Sequence, residues 1–288
     1  MIARQKYRRG LWLASAAAGL LGLAVVAPVG QVTAKPTAAP PVAAAPPGFR
    51  RLNEAQYVRS IEQIFGPGIK VPGRFDPPLR TEGLLAIGDT TVTVSASGIE
   101  QYELRAREIA AQAMAGGKVG MPCNPAVGAF DAACAGKVLG RYGRLLYRRP
   151  LSGSELAAVL GVAAKSTQVN ASFAKGLESG LSRLLMSPNF IFRVERSVAD
   201  PLAPGGYRLD DHALASRISF LLWDAPPDEV LLGAAARGDL RNTAKLQRQI
   251  DRLIASPRFE QGVRSFFSDL ANKARVTRGD LLLARGDQ

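Results

Sequence analysis

The chain is poor in the side chains that usually betray chemistry. Of 288 residues one is histidine, His212, and two are cysteine, Cys123 and Cys134. A structural zinc site needs about four such ligands, and these three cannot supply them. No C-x-x-C-H occurs, so a c-type haem cannot be attached. A Ser-His-Asp triad would have to recruit His212, and no G-x-S-x-G elbow accompanies it. Phosphate-binding and dinucleotide-binding glycine motifs are missing as well, so no cofactor is expected. Runs of β-branched residues are scarce, with Thr90–Val94 (TTVTV) the one strand-like stretch. Helix formers dominate instead, which predicts an all-α fold: one or more orthogonal multi-helix bundles with a small irregular insertion near 67–96. With 47% hydrophobic residues the chain can build a proper core.

Acid is the scarce charge. There are 24 Asp+Glu against 37 Lys+Arg, a formal balance of +13. Four of the cations (Arg4, Lys6, Arg8, Arg9) stand in the first nine residues, which hold no acid. Charge then vanishes from Leu11 to Val29 (LWLASAAAGLLGLAVVAPV), and Val32-Thr33-Ala34 supplies small residues at a cleavage position. A basic start, an apolar run and an A-x-A-like box read as a secretory signal over 1–34. The alternative is an uncleaved anchor through 11–29, since 19 uncharged residues approach the ~20 needed to span a bilayer. Gly19, Gly22 and Pro28 weaken such a helix. Residues 35–48 (KPTAAPPVAAAPPG) are an Ala/Pro linker that cannot pack a core. Beyond the leader 33 Lys+Arg face 24 Asp+Glu, so the remainder carries +9. That suits an anionic polymer or membrane surface; nucleic acid is not expected for an exported chain.

From residue 49 the pattern reads as successive helices. Asn53 with Gln56 forms a capping box for the first, whose stripe is Tyr57, Ile61 and Ile64, and Gly66-Pro67 ends it. A second is expected after Ser97, boxed by Glu100, with Ile99, Tyr102, Ala106 and Ile109 on one side. A third runs from about Asp131 to Tyr147. Ser152 and Glu155 box a fourth, and a fifth spans about Ala171 to Ser187. Asp210 or Asp211 caps a sixth carrying Leu214, Ile218 and Leu221-Leu222; three more follow after Pro226-Pro227, from Thr243, and around Phe259–Leu270. Domain boundaries are placed at 49–150 for a helical module with the cysteine pair, 151–270 for a second helical module, and 271–288 for an atypical tail.

In an oxidising compartment a cysteine pair eleven residues apart reads most simply as a disulfide; two free thiols are the other reading. Asp210-Asp211-His212 could be taken for a ligand triplet. Adjacent residues at a helix start point apart, so the expectation is a capping Asp and a surface His. Arg141, Arg144, Arg148 and Arg149 make a candidate basic docking patch, or equally the basic end of a helix placed to complement its dipole. Arg193, Glu195 and Arg217 are expected to form internal ion pairs, and Trp223 to be core.

Several stretches, taken in order, resemble one known architecture. RRLNEAQYVRSIEQIFG at 50–66 is similar to the opening module of large exported proteins found in planctomycetes and other bacteria, the domain of unknown function 1587. The run from Cys123 through CAGKVLGRYGRLLYRRPLSGSEL resembles their second module, 1595. LSRLLMSPNFIFRVE at 181–195 and YRLDDHALASRISFLLWDAPPDEVL at 207–231 resemble the domain of unknown function 1592. The resemblance covers about 50–270. It implies an exported, helical protein with no assigned activity, whose larger relatives often add a cytochrome c module. KARVTRGDLLLARGDQ departs from the expected continuation, which points to a truncated or frameshifted copy. The reading reached is an exported envelope protein, an interaction or scaffold module that binds a protein partner and has no catalytic site of its own. Its alternative is an accessory subunit of a periplasmic redox or polysaccharide-processing system.

Overall fold

The computed structural model describes residues 48–77, 84, 94–125 and 128–286, with side chains as far as 272. The signal segment, nearly all of the linker and most of the TTVTV run lie outside the described residues. Ten α-helices, a single 3₁₀ turn and four three-residue strands make up what is described, so the chain is mostly α as expected.

The helix starts follow their caps. Asn53 accepts from the Gln56 amide at 2.9 Å and Gln56 returns the bond, opening α1 (Glu54–Phe65). Asp131 caps α3 (Ala132–Tyr147) through the Cys134 amide at 2.8 Å. The predicted Ser152/Glu155 box opens α4 (Gly153–Asn170). Ser172 begins α5 (Phe173–Leu185), two residues later than the sequence suggested. Pro188 does not merely stop that helix; it takes the first position of a one-turn α6 (Pro188–Ile191). The second helix differs in its cap. α2 (Ala96–Ala115) starts on Ser95, not Ser97. Asp76, far away in sequence, accepts from the Ser95 hydroxyl at 3.2 Å, which no local pattern could announce. The inward place in that first turn goes to Gly98, against the Asp76 carboxylate, and Ile99 is left 53% exposed.

The strands were not foreseen. β1 (Phe49–Arg51) pairs antiparallel with β2 (Phe192–Val194), Arg50 opposite Arg193, so the chain entry is stitched to its middle. β3 (Ser197–Ala199) and β4 (Tyr207–Leu209) form a second ribbon leading into α7 (Asp211–Trp223). α8 (Glu229–Ala236), the 3₁₀ turn Asp239–Arg241, α9 (Thr243–Ile254) and α10 (Arg258–Gly286) complete the described chain.

Two hydrophobic cores result. The larger gathers Tyr57 and Ile61 of α1, Ile109 of α2, Leu139 of α3, Val159 of α4 and Leu181 of α5, drawing on helices from both sides of position 150. The smaller lies among α7, α8, the 3₁₀ turn and α9, around Trp223, Leu231, Leu240 and Leu253. Trp223 is core as expected, and its indole N–H donates to the Leu253 carbonyl at 2.8 Å. Leu221 is not: it is 68% exposed, because Phe220 and Trp223 take the inward directions on that turn.

Candidate functional site

An open cleft of about 620 Å³ lies among α1, α7 and the start of α10. Its volume suits a small ligand or a partner's protruding segment. α1 contributes Glu54 and Gln56, α7 contributes Phe220 and Leu221, and α10 contributes Ser265 and Phe266; Phe75 and Tyr102 line another wall. Leu221 and Phe266 are largely exposed.

Asp224 organises the cleft. It terminates α7 with φ at 51°, a left-handed conformation that Asp tolerates better than most residues. Its carboxylate accepts from Gln56 Nε2 at 2.6 Å, from the Ser265 hydroxyl at 2.8 Å, and from Arg59. One side chain thus ties α1, α7 and α10. Gln63 of α1 extends the seam, donating to the Pro226 carbonyl at 3.1 Å and accepting from Arg258 at 2.9 Å. Nothing in the local sequence around Asp224 marks it out, because its partners lie more than 40 and more than 160 positions away.

A second fixture backs the cleft. The Arg105 guanidinium, 1% exposed, sits 3.8 Å from the Phe75 ring centroid and 4.8 Å from that of Tyr102. Its Nε donates to the Pro72 carbonyl at 3.0 Å and its Nη2 to Arg74. Burial lowers its pKa, and the same burial raises that of neighbouring Tyr57. Arg51, also buried, pairs with Asp76 at 3.3 Å. Arg51 and Arg105 thereby hold the 72–77 loop in place.

Cys123 and Cys134 form a disulfide, with Cα atoms 5.8 Å apart, that pins the start of α3. The four arginines of the expected docking patch are not gathered on one open surface. Arg141 is exposed and reaches Glu229 of α8 at 3.1 Å. Arg144 lies in the last turn of α3, where a cation complements the helix dipole. Arg148 is buried with φ at 59° and donates to the carbonyls of Asn189 at 2.7 Å and Phe192 at 2.6 Å. Desolvation, with Arg193 and Arg149 nearby, pushes its pKa down to about 9. Arg149 forms a two-pronged bridge to Glu155 at 2.8 and 2.7 Å, which holds the Glu155 carboxyl down at about 2.

His212 is not the surface side chain expected. It is half-buried and shares a small crevice with Arg148, Arg149, Arg196 and Asp210. The neighbouring acids diverge: Asp210 caps α7 through the Ala213 amide at 2.6 Å, while Asp211 pairs with Arg241 at 2.8 Å. No group of His, Cys, Asp or Glu able to hold a metal ion is found among the described residues. Glu195 and Arg217 do pair, through Nε at 3.1 Å. Arg193 lies 4.7 Å from the Phe220 ring centroid, on the cleft wall.

Three family models match the chain in succession. They are the proteins of unknown function DUF1587 over residues 50–115, DUF1595 over 134–195 and DUF1592 over 209–280. No curated protein and no solved structure matches significantly.

Proposed function

Since the chain carries the DUF1587, DUF1595 and DUF1592 modules in series, we propose that it is an exported envelope protein acting as an interaction or scaffold module, without a catalytic site of its own. The observation that carries this reading is the cleft bound together by Asp224. Gln56, Asp224 and Ser265 on its walls are spent on joining α1, α7 and α10, while Leu221 and Phe266 stay open to solvent. A rigid, preformed cavity with exposed apolar residues is what a partner's anchoring side chains seek. The leader, the disulfide and the +9 balance beyond the leader support work in an oxidising compartment bordered by anionic surfaces.

The cleft volume gives weight to a second reading, an accessory subunit whose chemistry resides in a redox or polysaccharide-processing partner. A photo-crosslinking residue in place of Leu221, in the producing cells, distinguishes the possibilities. A discrete adduct with one envelope protein supports a scaffold, and an adduct with an oxidoreductase or glycan-active enzyme supports the accessory role. Turnover of a polysaccharide or a redox dye by the purified chain alone sinks both. In the same preparation the mature protein should begin at Lys35 by mass spectrometry; an intact N-terminus in a membrane fraction would mean that 11–29 is an anchor.

A further inference from the structure

The His212 crevice is separate from the cleft and its surroundings are unusually cationic. It is formed where the end of α3 and residue 149 meet Asn189, Arg196 and the first turn of α7. The space is about 20 Å³, room for one water-sized guest. His212 Nε2 is shielded from solvent and has no hydrogen-bond partner among the described residues. Two of the lining arginines have both Nη groups engaged. Arg148 gives its to backbone carbonyls, and Arg149 gives its to Glu155, the Pro150 carbonyl and Asn189. They act on the crevice chiefly through their field. Arg196 is different: its side chain is exposed and pairs with no carboxylate among the described residues. Arg144 adds further positive potential at the imidazole. Against these stand Glu155, closed by Arg149; Asp211, closed by Arg241; and Asp210, which caps α7.

We propose that this crevice is a phosphate-binding site, in which one oxygen of the group enters to meet His212 Nε2 while the others meet Arg196 at the mouth. The guest volume admits one oxygen and not a whole tetrahedral group. A guanidinium with uncommitted donors is well matched to phosphate geometry. Tyr147, also on the crevice wall, is held in its protonated form by burial and adds no negative charge. Burial disfavours the charged imidazole, and Arg144 and Arg149 do so too; Asp210 and Asp211 oppose them. An incoming anion favours the charged form, so binding and protonation reinforce one another. For a given ionisation state of the phosphate, affinity therefore rises as pH falls through the His212 titration.

Because His212 is the only histidine, its imidazole gives one unambiguous NMR signal. The full chain is titrated with inorganic phosphate at about pH 6 and about pH 8, with sodium chloride of equal ionic strength as control. Phosphate, and not chloride, should move the signal and raise the apparent His212 pKa. Arg196→Ala, at an exposed position, should weaken phosphate binding about tenfold, and His212→Gln should leave only the pH dependence that phosphate's own ionisation imposes. A parallel titration with polyphosphate identifies the source of the group: much tighter binding points to a polymer, and equal affinity per phosphate points to the free ion. A signal unmoved by phosphate, equally moved by chloride, or moved as strongly in Arg196→Ala overturns the site.

Discussion

At the scale of single residues, long-range acceptors decide more than their neighbours in sequence suggest. Asp224 accepts from three side chains on two other helices and is 14% exposed. Replacing it with alanine leaves Gln56 without its acceptor and Arg59 with only the backbone carbonyl at 224, and puts alanine in a left-handed conformation. Asp224→Ala should therefore cost about 2–3 kcal/mol, read by urea denaturation. Asp224→Asn, which keeps an acceptor and tolerates the backbone, should cost less. Glu155 supports a pH test. Its folded pKa is lowered from the ordinary 4.5 to about 2 by Arg149. Its contribution is thus complete above the unfolded value and disappears as pH falls through the interval between the two. The stability advantage of the native chain over Glu155→Gln should be present at neutral pH and shrink toward zero as pH falls to about 2. An advantage that persists there would mean that Glu155 acts through packing and not through its charge.

Helix contacts depend on small residues that a pattern of apolar positions does not rank. α4 and α5 approach so closely that a Cβ on Gly176 would stand 2.7 Å from the Ala163 carbonyl oxygen and against Thr167. A carbonyl cannot rotate away as a side chain tip can. Gly176→Ala should lower stability by about 1–3 kcal/mol, visible as a lower melting temperature, whereas Gly136→Ala, with open space around it, should not. The disulfide works at the same scale by tying Cys123 to the first turn of α3. In the chain-entropy account a loop of this length contributes about 3 kcal/mol. Cys123→Ser should melt earlier and show one free thiol on titration of the denatured, non-reduced protein. Two reactive thiols in the denatured, non-reduced chain without the substitution would contradict the bond.

Across the whole molecule, the three modules share fixtures. α1, in the first matched module, is held by Asp224 and Arg258 of the third, and β1 is paired with β2 of the second. The three matched segments are thus interlocked by contacts remote in sequence. Much of this was open to sequence reasoning. Capping residues such as Asn53, Asp131, Ser152 and Asp210 act through amides three positions away, so their chemistry is complete within a few residues. The helical class and the family resemblance rest on the same local information. What the sequence could not determine depends on partners remote along the chain. Asp76 moved the start of α2 to Ser95; Arg148 turned inward to the carbonyls around Phe190; and β1 and β2 paired across some 140 positions. Arg148 is instructive, because an arginine beside two others reads as surface when only its neighbours are known. Its burial requires unpaired carbonyls at the end of α6, and those exist only once the tertiary structure has brought that helix end to the end of α3.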